Sequence, residues 1–218
     1  MPAPAPRACL HVEGIDDFHT IANLAKLNGY DHRSDTSVPD IECAKNVDKL
    51  LRKISTAVRL GEGRTLGFVL DADDSLADRW ASVRQRLGSV GVVDVPPAPP
   101  EEGFIGESAS FKSRVGVWLM PDNRRPGALE LFLQDLIPPD DPIFEHARAA
   151  TERSKSLGAG FREVDTLKAT LCAWLAWQEN PGHPYGTALT AEYFHHKQPT
   201  GQAFIDWYAS LYQLHPVA

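Results

Sequence analysis

The run Thr65–Leu70, TLGFVL, is continuously apolar, has the length of a strand, and stops at Asp71-Ala72-Asp73-Asp74. A strand apolar on both faces has to be covered on both faces, which is the situation of a buried parallel strand between helices. A second run of this kind, Val115–Met120 (VGVWLM), ends in the polar turn Pro121-Asp122-Asn123. A shorter one, Cys9–Val12, ends at Glu13-Gly14.

Helical periodicity fills the intervals. Phe18, Ile21, Ala22, Leu24 and Ala25 mark a helix over Asp16 to Leu27, stopped by Asn28-Gly29. After a second strand at Val38–Cys43, the residues Val47, Leu50, Leu51, Ile54, Ala57 and Val58 form an amphipathic face closed by Gly61. Leu76, Trp80, Val83 and Leu87 form another. The Pro-rich stretch Val95–Pro100 with Glu101-Glu102-Gly103 cannot be a central strand or a helix interior, and reads as an exposed crossing or a strand edge. Pro126 is placed to start a helix carrying Leu129, Leu131, Phe132 and Leu136, with Pro138-Pro139 as its end.

The alternation of strand and helix over the first part of the chain predicts an α/β fold, a parallel sheet with helices on both faces. From Pro142 onward the pattern is helical: Phe144–Leu157, Phe161–Gln178, and a last helix from Gln202 to Leu214. The expected organisation is an α/β domain over 8–140 and a helical C-terminal extension over 141–218, packed together as one structural unit. Residues 1–7 read as a frayed Pro/Ala tail. Trp174, Trp177, Trp207, Tyr208 and Tyr212 stand at helical spacings and are assigned to the core.

Acidic residues outnumber Lys plus Arg by 29 to 22, so the net charge is −7. This excludes a cationic coat for nucleic acid. It does not exclude a nucleic-acid enzyme whose carboxylates hold metal ions, because the ions then bring the positive charge. The cysteines, Cys9, Cys43 and Cys172, are scattered and form no CxxC pair, which indicates neither a disulfide framework nor a structural zinc site and fits a reducing cytoplasm. MPAPAPRACL lacks the basic and then apolar pattern of a signal peptide. No apolar run approaches the ~18 residues of a membrane span.

Three strands thus end in acidic turns, at Glu13, at Asp71-Ala72-Asp73-Asp74 and at Asp122. In a parallel α/β sheet the carboxyl ends of the strands form one edge, and sites gather there. Asp17 lies one helical turn from Glu13 and can return to the same edge. Asp71 and Asp73 are two residues apart and share one side of an extended segment. Each Asp, taken alone, is equally at home as a cap on the following helix. Taken together, such carboxylates repel one another unless a cation neutralises them, and Mg²⁺ or Mn²⁺ is the natural partner of oxygen ligands.

The segments Val12-Glu13-Gly14-Ile15-Asp16-Asp17 and Leu70-Asp71-Ala72-Asp73-Asp74 resemble the two signatures of a TOPRIM domain, the Rossmann-like domain of topoisomerases, primases, recombination proteins and OLD-type nucleases. The chain is more similar still to a bacterial family of small, stand-alone TOPRIM-like proteins of uncharacterised function. That likeness runs through Val115–Asn123, Gly127–Leu133, Lys168 and Ala173–Gly182, and so covers about residues 8–212. The resemblance implies that Glu13 is a metal ligand and general acid/base, that Asp71 and Asp73 are paired metal ligands, and that Asp17 helps hold a second ion. It implies Lys168 as the lysine that counters charge on the cleaved phosphate. Asp74 and Asp122 are further acidic candidates, and Arg124 and Arg125 are candidate phosphate ligands. The OLD-type nucleases carry an ATPase on the same chain. No GxxxxGK[ST] loop occurs in this sequence, so the resemblance implies a separately encoded ATPase as partner and a role in phage defence.

The function expected is a Mg²⁺- or Mn²⁺-dependent nuclease, or a related phosphotransfer enzyme, acting on nucleic acid, with self-association left open. The alternative is a non-catalytic adaptor of TOPRIM fold that docks on an ATPase or a nucleic-acid complex. Structural readings compete for single residues too. Lys168 can lie along the edge of an apolar helix face, and Asp122-Asn123-Arg124-Arg125 can be an ordinary solvated turn. His11 shares a strand face with Glu13 and is assigned to packing.

Overall fold

The computed structural model describes residues 8–215, and the Pro/Ala tail lies outside them. Five strands form one sheet: β1 (Cys9–Val12), β2 (Asp40–Cys43), β3 (Thr65–Asp71), β4 (Phe104–Ser108) and β5 (Ser113–Met120). Their spatial order is β2-β1-β3-β5-β4. The first three and β5 are parallel, and β4 closes one edge as an antiparallel partner of β5. The fold class is the α/β sheet flanked by helices that the alternation of elements predicts; the antiparallel β4 is an addition to the parallel sheet expected.

The double-sided apolarity of β3 and β5 is used on both sides. Phe68, Leu70, Val115, Val117 and Leu119 point into one core with α2 (Val47–Leu60) and α3 (Leu76–Gly88). Their alternates Val69, Trp118 and Met120 point into the other, with Leu10 and Val12 of β1. That second face is covered by α1 (Ile15–Leu27), α4 (Leu129–Asp135), α5 (Pro142–Ser156), α6 (Thr166–Leu175), α7 (Tyr185–Thr190) and α8 (Pro199–Tyr212). The C-terminal helices and the sheet therefore share one apolar cluster.

Gly67 and Gly116 stand opposite each other in register on β3 and β5. A side chain on Gly67 would collide with Tyr212 Oη, and one on Gly116 with Leu211. The paired glycines let α8 lie directly on the sheet, where Tyr212 Oη donates to the Cys9 carbonyl at 2.9 Å. The Pro-rich crossing stays irregular and is pinned where Trp80 Nε1 donates to the Pro96 carbonyl at 3.0 Å.

Three local expectations need correction. Pro126 does not start a helix: Gly127 pairs with Asp73 across an isolated bridge, and α4 begins only at Leu129. The helix expected over Phe161–Gln178 is shorter. A 3-10 turn, Glu163–Asp165, precedes α6, and Pro181-Gly182 leads on to the short α7, which lacked a periodic signature. Trp177 is 47% exposed and lies against His146, while Trp174, Trp207, Tyr208 and Tyr212 are buried.

Candidate functional site

Glu13 leaves β1 and Asp71 closes β3, and these strands are neighbours running the same way. Parallel pairing therefore brings the two acidic turns to one edge of the sheet. Asp17, in the first turn of α1, is 7% exposed, and its Oδ2 accepts a hydrogen bond from the Gly14 N–H at 3.0 Å. Asp71 Oδ1 accepts from the Leu129 N–H at 3.1 Å, so it caps the start of α4. Asp73 has a positive φ of 52° and exchanges two backbone hydrogen bonds with Gly127. Its carboxylate pairs with Arg79 of α3. Glu130, the residue after Leu129, brings a fifth carboxylate, and Lys168 Nζ of α6 lies 3.5 Å from it.

The electrostatics show that these groups sense one another. Burial pushes the Asp71 carboxyl well above the ordinary carboxylate range, and Asp17, Glu13, Asp73 and Glu130 push it in the same direction. Asp17 is raised chiefly by burial, against the Gly14 hydrogen bond, and further by Glu13 and Glu130. Glu13 is raised by burial and by Asp73, while backbone groups of Asp71 and Val47 favour its charged form. Glu13 Oε2 and Arg79 Nε are buried with no hydrogen-bond partner. Buried carboxyl groups whose charged forms repel one another, one of them with an orphaned oxygen, are chemically suited to a hard divalent cation.

Lys168 projects between two clefts. One, of about 320 Å³, is lined by Asp73, Asp74, Gly127, Glu130 and Lys168 among others. The other, of about 260 Å³, includes Asp16, Lys168, Cys172, His183 and Tyr185. The crest thus has a buried end at Asp17 and Asp71 and an open end at Asp73, Asp74 and Lys168.

Asp122, Arg124 and Arg125 have other engagements. Asp122 accepts from both arginine backbone N–H groups and from Arg125 Nε at 2.8 Å. Arg125 also pairs with Asp135, and Arg124 pairs with Glu101 at 2.7 Å. None of these contacts reaches Glu13, Asp17, Asp71 or Asp73.

Sequence reasoning missed Glu130 and Arg79. It also missed a group that can hold a metal ion on the sheet itself. Cys9, His11 and Glu42 offer ligand atoms that all lie within 4.8 Å of one another, a condition the crest carboxylates do not meet among the described residues. The available signal was the period of two in Cys9/His11, which puts both on one strand face.

Residues 7–213 match the family described as protein of unknown function (DUF3226). No curated protein and no solved structure matches the chain. No helix among the described residues is long and apolar enough to cross a membrane.

Proposed function

We propose that this chain, which belongs to the DUF3226 family, is a Mg²⁺- or Mn²⁺-dependent enzyme that hydrolyses phosphodiesters of nucleic acid. The observation that carries this reading is the convergence of Glu13, Asp17, Asp71, Asp73 and Glu130 at the carboxyl ends of β1 and β3, with the carboxyl groups of Glu13, Asp17 and Asp71 displaced upward and an orphaned Glu13 oxygen. Glu13, Asp71 and Asp73 would hold a first ion, and Asp17 would help to hold a second. Such an ion supplies charge neutralisation at phosphorus-bound oxygens and an activated water.

The chain's own groups divide the remaining work. Arg79 holds Asp73 in place, and the Leu129 N–H holds Asp71. Lys168, at the open end beside a cleft of about 320 Å³, counters charge that develops in the transition state. With the chain's net charge of −7, attraction of a polyanion depends on the bound cations, so substrate binding and metal binding are coupled. A separately encoded ATPase remains part of the proposal as a partner.

Plasmid nicking and RNA degradation by the purified protein, with and without Mg²⁺ or Mn²⁺, test the proposal. Metal-dependent cleavage that Glu13→Gln and Asp71→Asn abolish is the expected result. Cleavage unchanged in both variants rejects the mechanism, and phosphate release from nucleotides without strand cleavage redirects it to a nucleotide phosphatase.

One observation favours the adaptor reading. The crest carboxylates are already engaged by Arg79, Lys168 and backbone N–H groups, and no three of them come within 4.8 Å of one another. Calorimetry separates the two readings: an adaptor shows no Mg²⁺ or Mn²⁺ affinity that depends on Asp71.

A further inference from the structure

Cys9 and His11 are two residues apart on β1, so their side chains leave the same face of the sheet. His11 stands opposite Glu42 in the parallel register of β1 and β2, which puts Glu42 on that face as well. Cys9 Sγ is 3.7 Å from His11 Nδ1, and His11 Nδ1 is 3.6 Å from Glu42 Oε2. Sulfur, nitrogen and oxygen ligands bound at ~2.3, ~2.05 and ~2.1 Å with tetrahedral angles stand ~3.4–3.6 Å apart. The His11 nitrogen therefore already has nearly the tetrahedral spacing to each of the other two ligand atoms, and all three lie within 4.8 Å of one another.

We propose that Cys9, His11 and Glu42 form a binding site for a zinc-type transition-metal ion, distinct from the acidic crest and independent of the proposed enzymatic role. Thiolate and imidazole select a borderline-soft ion over Mg²⁺, which prefers oxygen alone. His11 binds through Nδ1. Its ring stacks on Phe68 at 5.1 Å between centroids with an interplanar angle of 27°, and its Nε2 has no partner, so Nδ1 is the nitrogen engaged with the other two ligands.

Charge balance supports the assignment. Glu42 is presently paired with the Lys53 ammonium of α2. Ion binding breaks the Cys9 S–H bond, forms the sulfur–metal bond and releases the proton to water. Lys53 keeps its proton and swings outward, as its partly exposed side chain permits. A divalent ion with one thiolate, one carboxylate and a neutral imidazole carries no net charge, which suits a site where Cys9 and His11 are buried. Glu42, 54% exposed, is the entry point, and the fourth position faces the rim. The ion would tie β1 to the edge strand β2 just below Glu13.

Titration of the full-length chain with Co²⁺ under reducing conditions, followed by absorption spectroscopy, tests the site. One thiolate-ligated ion per chain is expected, with a thiolate-to-cobalt charge-transfer band and visible bands of tetrahedral intensity, all reversed by Zn²⁺. Cys9→Ser removes the charge-transfer band. Because Cys9 is buried, two rim variants provide the safeguard. Glu42→Gln weakens binding at least about tenfold, whereas Lys53→Met tightens it by removing the competing cation. Asp71→Asn leaves the band unchanged. Absence of Co²⁺ binding, binding without the charge-transfer band, or binding indifferent to Glu42→Gln and Lys53→Met overturns the proposal.

Discussion

Asp73 and Gly127 donate a backbone hydrogen bond to each other, both at 2.8 Å, although they belong to turns that follow different strands. This bridge clamps the acidic turn after β3 to the segment that enters α4. It thereby fixes the distance between Asp71, whose carboxylate caps α4, and Glu130, in the first turn of that helix.

Gly127 has a φ of +143°, a conformation that side chains rarely adopt, and a Cβ there would come within 2.9 Å of Leu131 Cδ2. Gly127→Ala is expected to destabilise the fold by about 1–3 kcal/mol. It should also lower metal-dependent cleavage, because the bridge holds the crest. Gly160→Ala, where a Cβ meets nothing within 4 Å, is the control with little effect. Urea unfolding of both variants checks the difference, and equal stabilities would remove the bridge from the account.

Asp71 and Asp17 have folded-state pKa values raised above the ordinary range, chiefly by burial. The folded state therefore holds protons that the unfolded chain has already released, and the metal-free protein loses stability as pH rises from ~4 through the raised values. Asp71→Asn keeps an oxygen for the Leu129 N–H but removes the charge. At pH 8 without metal it should be more stable than wild type by about 1–3 kcal/mol and should depend less on pH. Mg²⁺ should stabilise wild type more than the variant. Thermal melts from pH 5 to 9, with and without Mg²⁺, measure all of these effects.

The crest was legible in the sequence because it depends on local rules: a short apolar run, a polar stop, and parallel strands that share an edge. Glu13, Asp17, Asp71 and Asp73 obey those rules. Glu130 and Arg79 do not. They reach the crest only because α4 is clamped to the β3 turn and the first turn of α3 folds Arg79 back onto Asp73, arrangements without a periodic signal. The boundary at Pro126 fails for the same reason, since the Asp73–Gly127 bridge overrides the proline's preference for a helix start. The Cys9–His11–Glu42 group needed the register of β1 against β2, which hydrophobic pattern alone does not specify for strands of four residues.

Lys168 is half exposed and its ion pair with Glu130 is 3.5 Å long. An exposed pair of this kind contributes little to folding, so Lys168→Ala should change stability by less than about 0.5 kcal/mol. If Lys168 counters transition-state charge, the same substitution lowers kcat by roughly 10²–10³. Lys168→Arg should recover part of the loss, with KM little changed. Steady-state kinetics on a short labelled duplex decide the matter. An unchanged kcat would reduce Lys168 to a surface ion pair.

Arg79 is mostly buried, pairs with Asp73, and leaves its Nε without a partner. Its charge offsets the effect of Asp73 on the Glu13 carboxyl. Arg79→Met keeps much of the side chain's bulk but removes that compensation, so the metal-free variant should be less stable than wild type by about 1–3 kcal/mol. The same change frees the Asp73 carboxylate for an ion. Binding to the folded state alone stabilises it by RT ln(1 + [L]/Kd), so a tighter site gives a larger gain at a fixed Mg²⁺ concentration. The Mg²⁺-induced rise in Tm should therefore be larger in Arg79→Met than in wild type, even though the starting Tm is lower. An equal or smaller rise would mean that Arg79 does not compete with the metal for Asp73.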